Sequence, residues 1–394
     1  MQYTALPTLP TLPKKMQVQV AERRDALRLP DASGRDGGMR MHALRVRNFR
    51  GIVDRKISFD GADGEARPLT VIVGPNRSGK TTMLDALHLV TACVENPKHP
   101  KLRVGFDPDD PLLRPNPNQG IEVDLEFSLS KEEWRELVAV EQRLDGYPTP
   151  EFAERYTLSF QWPFPQGGWA GCTEQSVDLA AQALRGRAKA KVALARRLVS
   201  AQIIEKLGGV FYLDQHRSVE MTSQIVRTGT NAELTEAAGG RDILPWMELQ
   251  ARLDMRWDTE RQGESGWAHL RRIYAELARP SIIDDIEPFS DGFDLRMKDA
   301  ETGRTYYSMG TSSGERLMLR LAANLVAWGA FRSVVLIDEI ELHLHPQWQR
   351  NLLHFCRRGG GGDNQFIVTT HSEALLRYVD PESVIVLEPM EVGG

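Results

Sequence analysis

Residues 74–81, Gly-Pro-Asn-Arg-Ser-Gly-Lys-Thr, constrain this chain more than any other segment. They fit the pattern G-x-x-x-x-G-K-[ST]. The apolar, β-branched run LTVIV at 69–73 precedes them, and Met83, Leu84, Leu87 and Val90 follow at three- and four-residue spacing. A buried strand, a glycine loop and an amphipathic helix in that order predict a phosphate cradle. Glycine lets backbone N–H groups turn inward without a side chain in the way, and the helix N-terminus adds partial positive charge. Gly74, Asn76, Ser78, Gly79, Lys80, Thr81 and Thr82 are the candidate ligand-binding residues. Lys80 offers a mobile cation to β/γ-phosphate oxygens, and Thr81 offers a hydroxyl to Mg²⁺.

A second segment supplies the acids such a cradle requires. Val334-Val335-Leu336-Ile337 is a continuous apolar run ending in Asp338 and Glu339, as expected of a strand buried on both faces. At its end, Asp338 is the candidate Mg²⁺ holder, acting through water. Glu339 is the candidate base or positioner for an attacking water. Beyond lie Glu341, His343 and His345. Their spacing beside Pro346 does not match a helical pair of metal ligands, so zinc is not expected.

The rest of the chain organises around these two segments. Residues 1–38, with TLPTLP and DASGRDGG, read as a disordered tail, and Met39 and Met41 are alternative starts to Met1. MHALRVRNFRGI and RKISF predict a hairpin, and Ile121 to Ser128 alternates as a strand. Ser130 and Glu133 form a capping box that opens a helix through about Leu144. Tyr156 to Trp162 is a further alternating strand. Residues 178–207 and about 231–279 read as mostly helical, with a short strand at 210–213, and a hairpin is expected around DAETGR. On a helix of about 100° per residue, Arg185, Lys189 and Arg196 fall within about 40° of each other. That stripe either tracks phosphates on DNA or is a solvated face.

Composition excludes several classes. The 394 residues are 41% hydrophobic and 26% charged with net charge −5, so nothing global draws the chain to nucleic acid or an anionic surface. No apolar run reaches the roughly 18 residues a membrane span needs, and no signal peptide is evident. Cys93, Cys172 and Cys356 are too scattered for a disulfide framework or a zinc site. A cytoplasmic protein is expected.

Two more segments complete a pattern. Thr311-Ser312-Ser313-Gly314-Glu315-Arg316 opens an apolar helix. Its hydroxyls and free N–H groups suit either an ordinary N-cap or an anion. QFIVTTHS places His371 at the end of an uncharged, β-branched run. Taken with GPNRSGKTTMLDAL, the NFRGI opening and DEIELHLHP, these segments resemble ABC-type AAA ATPases of the OLD, RecF and SMC class, in that family's order. The resemblance covers residues 41–90 and about 304–380.

The resemblance implies an α/β P-loop NTPase fold with a mixed sheet. ATPase parts at 39–130 and 291–394 would be interrupted by a mainly helical insertion at 131–290. It implies ATP and Mg²⁺ as cofactors, with Glu339 and His371 as catalytic residues. It also implies that Ser312, Ser313 and Gly314 cap the ATP held by a second copy, in an ATP-dependent homodimer or higher oligomer. A glutamine loop is expected, and VFYLDQHRS offers Gln215 as a further Mg²⁺ ligand, with Arg217 close by; either residue is otherwise structural. No long heptad array interrupts the chain, and too little follows His371 for the TOPRIM nuclease domain of OLD nucleases. The expected task is an ATP-driven switch acting with an effector protein or DNA, as in phage defence or DNA repair. The alternative is the ATPase subunit of a membrane transporter.

Overall fold

The computed structural model describes residues 37–96, 110, 113–144, 151–163, 178–214, 244–289, 292–342 and 344–389. Its central sheet is parallel and five-stranded, in the order β12 (Val384–Val386), β3 (Leu69–Val73), β11 (Gln365–Thr370), β10 (Val334–Ile337), β6 (Val210–Leu213). Successive side chains of a strand point to opposite faces, and here both faces are apolar. Val334, Leu336, Ile72 and Ile367 enter one core, while Val335, Ile337, Val71 and Val368 enter the other. Burial on both sides is why these strands read as unbroken apolar runs.

The first core is closed by α1 (Lys80–Glu95) and by an antiparallel sheet in the order β2 (Ile52–Ser58), β1 (Arg40–Phe49), β4 (Ile121–Ser128), β5 (Tyr156–Trp162). On the polar side of that sheet the charges pair off. Arg45 pairs with Asp54, Arg47 with Glu122 and Asp124, and Arg155 with Asp60 and Glu126. Exposed pairs stabilise little, but they leave these arginines already matched.

After β4, Ser130 caps α2 (Lys131–Glu141) by accepting the Glu133 N–H at 3.1 Å. The expected reciprocal half of the capping box is absent, because Glu133 turns inward instead and accepts the Gly208 N–H at 2.6 Å. Its other oxygen is buried with no hydrogen-bond partner among the described residues. Burial pushes the Glu133 carboxyl up to about 8, against the pull of Gly208, Arg40, Arg332 and Arg187. A carboxyl raised above its unfolded value stabilises the fold fully only below that value, near 4.3, and the contribution is lost as pH rises through about 8. Glu133→Gln, which keeps the acceptor for Gly208, should therefore melt higher than the wild type. The gap should widen between pH 5 and 8, reaching on the order of 3–5 °C. Thermal melts across that range check it, and a gap independent of pH would contradict it.

The helical middle packs onto both sheets. α3 (Leu179–Leu184), α4 (Gly186–Ala195) and α5 (Ile203–Lys206) join the first core. α6 (Leu244–Asp254), α7 (Thr259–Gln262) and α8 (Gly266–Leu277) follow β6, and α6 and α8 contribute to the second core. Two strands from within 131–290 belong to the main sheets: β5 lies at the edge of the antiparallel sheet and β6 at the edge of the parallel one. The interrupting segment is thus threaded through the α/β body. A second antiparallel sheet, β7 (Ser281–Phe289), β8 (Gly292–Asp299), β9 (Thr305–Tyr307), includes the expected hairpin and leads into α9 (Ser313–Trp328). Sheets of both orientations occur, segregated into one parallel and two antiparallel layers. α9, α10 (Pro346–Arg357) and α8 cover the second core.

The basic stripe is not a surface. Arg185 and Lys189 are 6% and 5% exposed. Arg185 donates to the Val94 carbonyl at 2.6 Å, and Lys189 is paired with the buried Glu141. Only Arg196 of the three is exposed, so the DNA-tracking reading of this helix fails. Glu141, on the facing α2, draws Lys189 inward, a partner that a helical projection of 178–207 alone does not contain. Arg187, between them, is deeper still. Its guanidinium donates to the carbonyls of Ile204, Leu207, Trp328 and Gly329 and stacks on Phe211. Among the described residues, no helix is long and apolar enough to cross a membrane.

Candidate nucleotide site

The glycine loop leaves β3 and enters α1 as expected. Gly79 adopts φ 91° and no side chain caps α1, so its first N–H groups face the loop's interior. Gly74 must lack a side chain, since a Cβ there would meet the Leu387 carbonyl at 2.5 Å and the Ser78 hydroxyl at 2.6 Å. Asn76 and Arg77 are exposed, while Ser78, Gly79, Lys80 and Thr82 are buried. Lys80 Nζ donates to the Gly74 and Pro75 carbonyls, each at 2.9 Å. An ammonium has three donors, so one remains for a phosphate. Burial draws the Lys80 ammonium below its usual range, and the charges of Asp338, Glu339 and Glu341 push it back up.

The two motifs meet where β3 and β10 end. Thr81 Oγ1 lies 3.1 Å from both carboxylate oxygens of Asp338, 257 residues away in sequence. Asp338 is fully buried. Its Oδ1 accepts the Thr369 hydroxyl at 2.6 Å, and the same hydroxyl accepts the Glu339 N–H at 2.8 Å. Thr369, on β11, thereby ties both acids together. No motif singled it out, and nothing in QFIVTT sets it apart from its neighbour Thr370. Hard oxygen donors at one buried point suit Mg²⁺, which keeps most of its waters and takes few protein ligands. Among the described residues no group of three or more His, Cys, Asp or Glu forms a metal site.

Glu339 sits at φ 49°, a left-handed conformation costing a β-carbon residue on the order of 1 kcal/mol or more. The turn swings its carboxylate away from Asp338 and toward His371, whose Nε2 lies 3.7 Å from Glu339 Oε1. The His371 N–H donates to Glu341 Oε1 at 2.6 Å, and Glu341 Oε2 is buried with no hydrogen-bond partner among the described residues. Glu341 therefore positions the histidine turn.

Ser312 caps α9 with a complete capping box: its hydroxyl accepts the Glu315 N–H, and Glu315 accepts the Ser312 N–H at 2.9 Å. Ser312 and Ser313 are exposed and Gly314 is buried. Glu315 is also gripped from the side. Tyr306 donates to it at 2.7 Å, and Tyr306 in turn contacts Ser281 at 2.6 Å. No hydrogen bond among the described residues joins Ser312, Ser313 or Gly314 to the glycine loop. Gln215 and His343 lie outside the described residues. β6, which leads to Gln215, does end beside the site, its Leu213 carbonyl accepting the Asp338 N–H at 2.9 Å.

The NFRGI opening proves to be a brace for α1. Arg50 pairs with Asp85 of α1, which also accepts the Tyr212 hydroxyl at 3.0 Å.

A family model described as "AAA domain" matches residues 43–231, and one described as "AAA domain, putative AbiEii toxin, Type IV TA system" matches residues 235–377. The chain is 44% identical over 55 residues to "Retron Ec83 probable ATPase" of Escherichia coli, covering 14% of this chain and 10% of that protein. It is 38% identical over 58 residues to "Retron Vc95 probable ATPase" of Vibrio cholerae serotype O1 biovar El Tor, covering 15% and 11%. The match thus spans about a tenth of these curated relatives. Similar solved structures include an Smc head bound to the C-terminal winged-helix domain of ScpA, with TM-score 0.49 and 16% identity over 88% of this chain and 94% of that one. An SMC head domain from Thermotoga maritima has TM-score 0.40 and 15% identity over 86% and 92%.

Proposed function

We propose that the chain, which matches AAA-domain models over residues 43–231 and 235–377, is a P-loop ATPase that binds ATP with Mg²⁺ at residues 74–82, hydrolyses it, and uses the cycle to close and open a dimer of itself. The observation that carries this reading is the meeting of Thr81 with the buried Asp338 at 3.1 Å, beside the Thr369 link to Glu339. Loop N–H groups and Lys80 hold the phosphates. Thr81 and Asp338 would hold Mg²⁺, with Gln215 as a further ligand; when bound, the ion neutralises charge on the β- and γ-phosphates. Glu339 orients the attacking water and takes its proton as the water oxygen bonds to the γ-phosphorus and ADP leaves. His371, beside Glu339, contacts the γ-phosphate.

Ser312, Ser313 and Gly314 complete the site from a second copy. The Ser313 and Gly314 N–H groups have no hydrogen-bond acceptor among the described residues, and a helix start of this kind suits an anion. We assign the switch a defence-linked task in the cytoplasm, with an effector protein or DNA as the partner it reads; two relatives of this chain are named as probable ATPases of retrons.

Steady-state ATP turnover, measured against protein concentration with and without double-stranded DNA, tests the reading. Turnover per chain should rise with concentration. Ser312→Arg should remove it by at least about tenfold while nucleotide affinity is retained, the added side chain blocking closure. Full activity in Ser312→Arg would refute the cross-subunit role, and absence of hydrolysis under all conditions would refute the ATPase. Stimulation by DNA would make DNA the partner; indifference to DNA would leave the effector protein.

A further inference from the structure

The glycine loop is also held from outside, by a residue that belongs to no motif. Arg55 on β2 donates from Nη1 to the Ser78 carbonyl at 2.5 Å and from Nη2 to the Glu388 carbonyl at 3.2 Å. Leu387, next to Glu388, donates its N–H to the Val73 carbonyl at 2.7 Å, immediately before the loop begins. Its own carbonyl is one of the atoms that exclude a Cβ at Gly74, with the Ser78 hydroxyl. The loop is therefore clamped at both ends. The segment after β12 presses on its first glycine, and one guanidinium joins that segment to the loop's last turn.

The Ser78 carbonyl belongs to the same peptide unit as the Gly79 N–H, at the start of α1. A cation hydrogen-bonded to the oxygen of a peptide polarises the unit and strengthens its N–H as a donor. It also fixes the direction in which that N–H points, the preorganisation on which an anion cradle depends. A lysine reaches one carbonyl as a point charge, whereas the planar fork of arginine spans two.

We propose that Arg55 is a positioning residue for the nucleotide phosphates, orienting and polarising the Ser78–Gly79 peptide while locking the loop to residues 387–388. The proposal rests on the reading of residues 74–81 as a nucleotide site. Loop N–H groups of this kind cradle the α- and β-phosphates, which ATP and ADP share. Loss of Arg55 therefore weakens both nucleotides alike and leaves the hydrolytic step alone.

The test uses the full chain, titrated with N-methylanthraniloyl-ATP and -ADP, with steady-state kinetics and nucleotide-free thermal melts alongside. Arg55→Ala should raise Kd for both nucleotides and KM for ATP by about tenfold, the loss expected for one charge-assisted hydrogen bond. Its kcat should stay within about twofold and its melt should be unchanged, and Arg55→Lys should recover most of the affinity but not all. Wild-type affinity in Arg55→Ala, with Lys80→Ala defective, would overturn this proposal and leave the nucleotide site standing. A lowered melt in Arg55→Ala with kcat and KM falling together would also overturn it, as the mark of a merely structural role. A wild-type chain that binds neither nucleotide would overturn both readings.

Discussion

Glu339→Gln should lower ATP turnover by at least about 100-fold, the usual loss when a positioned base is removed, while nucleotide binding stays intact. The substitution is nearly isosteric, so the φ 49° turn and the Thr369 hydrogen bond to its N–H are preserved. What disappears is the ability to take a proton from water. In the proposed site, binding energy and phosphate positioning are assigned elsewhere, to the loop, Lys80 and Thr81, so ATP should persist and the closed dimer should accumulate. Single-turnover hydrolysis and size-exclusion chromatography in ATP and Mg²⁺ would read the two effects separately. Hydrolysis at the wild-type rate would remove Glu339 from the role and make His371, 3.7 Å away, the next group to test.

Lys80→Ala should act on the opposite side of that division, weakening ATP binding by about 100-fold or more, as expected for loss of a charge-assisted contact with phosphate. Lys80 is 5% exposed and bonded to two loop carbonyls, so its removal also frees the loop that it braces. Lys80→Arg and Lys80→Ala should both fail, because the planar fork does not reproduce a point charge inside a tight loop. Calorimetric titration with ATP, accompanied by melts to show that the chain is folded, decides it. Affinity within about threefold of wild type in Lys80→Ala would overturn the assignment of the phosphate site.

The meeting of Lys80 and Thr81 with Asp338 and Glu339 was legible because these residues stand in short motifs at the ends of β3 and β10, where backbone geometry places them. β3, β4, β5, β6 and β10 were all readable, each as an alternating or continuous apolar run. What was hidden depended on partners distant in sequence. Thr369 looks like any β-branched strand residue until β11 is seen beside β10. Arg55 looks like a solvated charge in a hairpin until Ser78 is found against it. The stripe Arg185, Lys189 and Arg196 misled for the same reason in reverse: Glu141 and the Val94 carbonyl, both outside the segment, turn two of its cations inward. The Ser130–Glu133 pair formed half of its capping box because Gly208 competes for the carboxylate. β7 was missed, and it packs against α8.

The order of the parallel sheet bears on how the protein is made. β3, which carries the nucleotide loop, is flanked on one side by β11 and on the other by β12. Both neighbours follow it by about 300 residues of synthesis. At a ribosomal rate of about 5–20 residues per second, β3 waits with both edges unpaired until residues beyond 365 emerge. β6 waits for β10 in the same way. Arg187 finds two of its four carbonyls only when Trp328 and Gly329 arrive. The two stretches matched at 43–231 and 235–377 are therefore not separable folding units, and a nascent or severed N-terminal half holds the phosphate motif without the sheet that shapes it. The nucleotide site is among the last features of the molecule to form, so every chain competent to bind ATP has already been translated nearly to the end of its sheet.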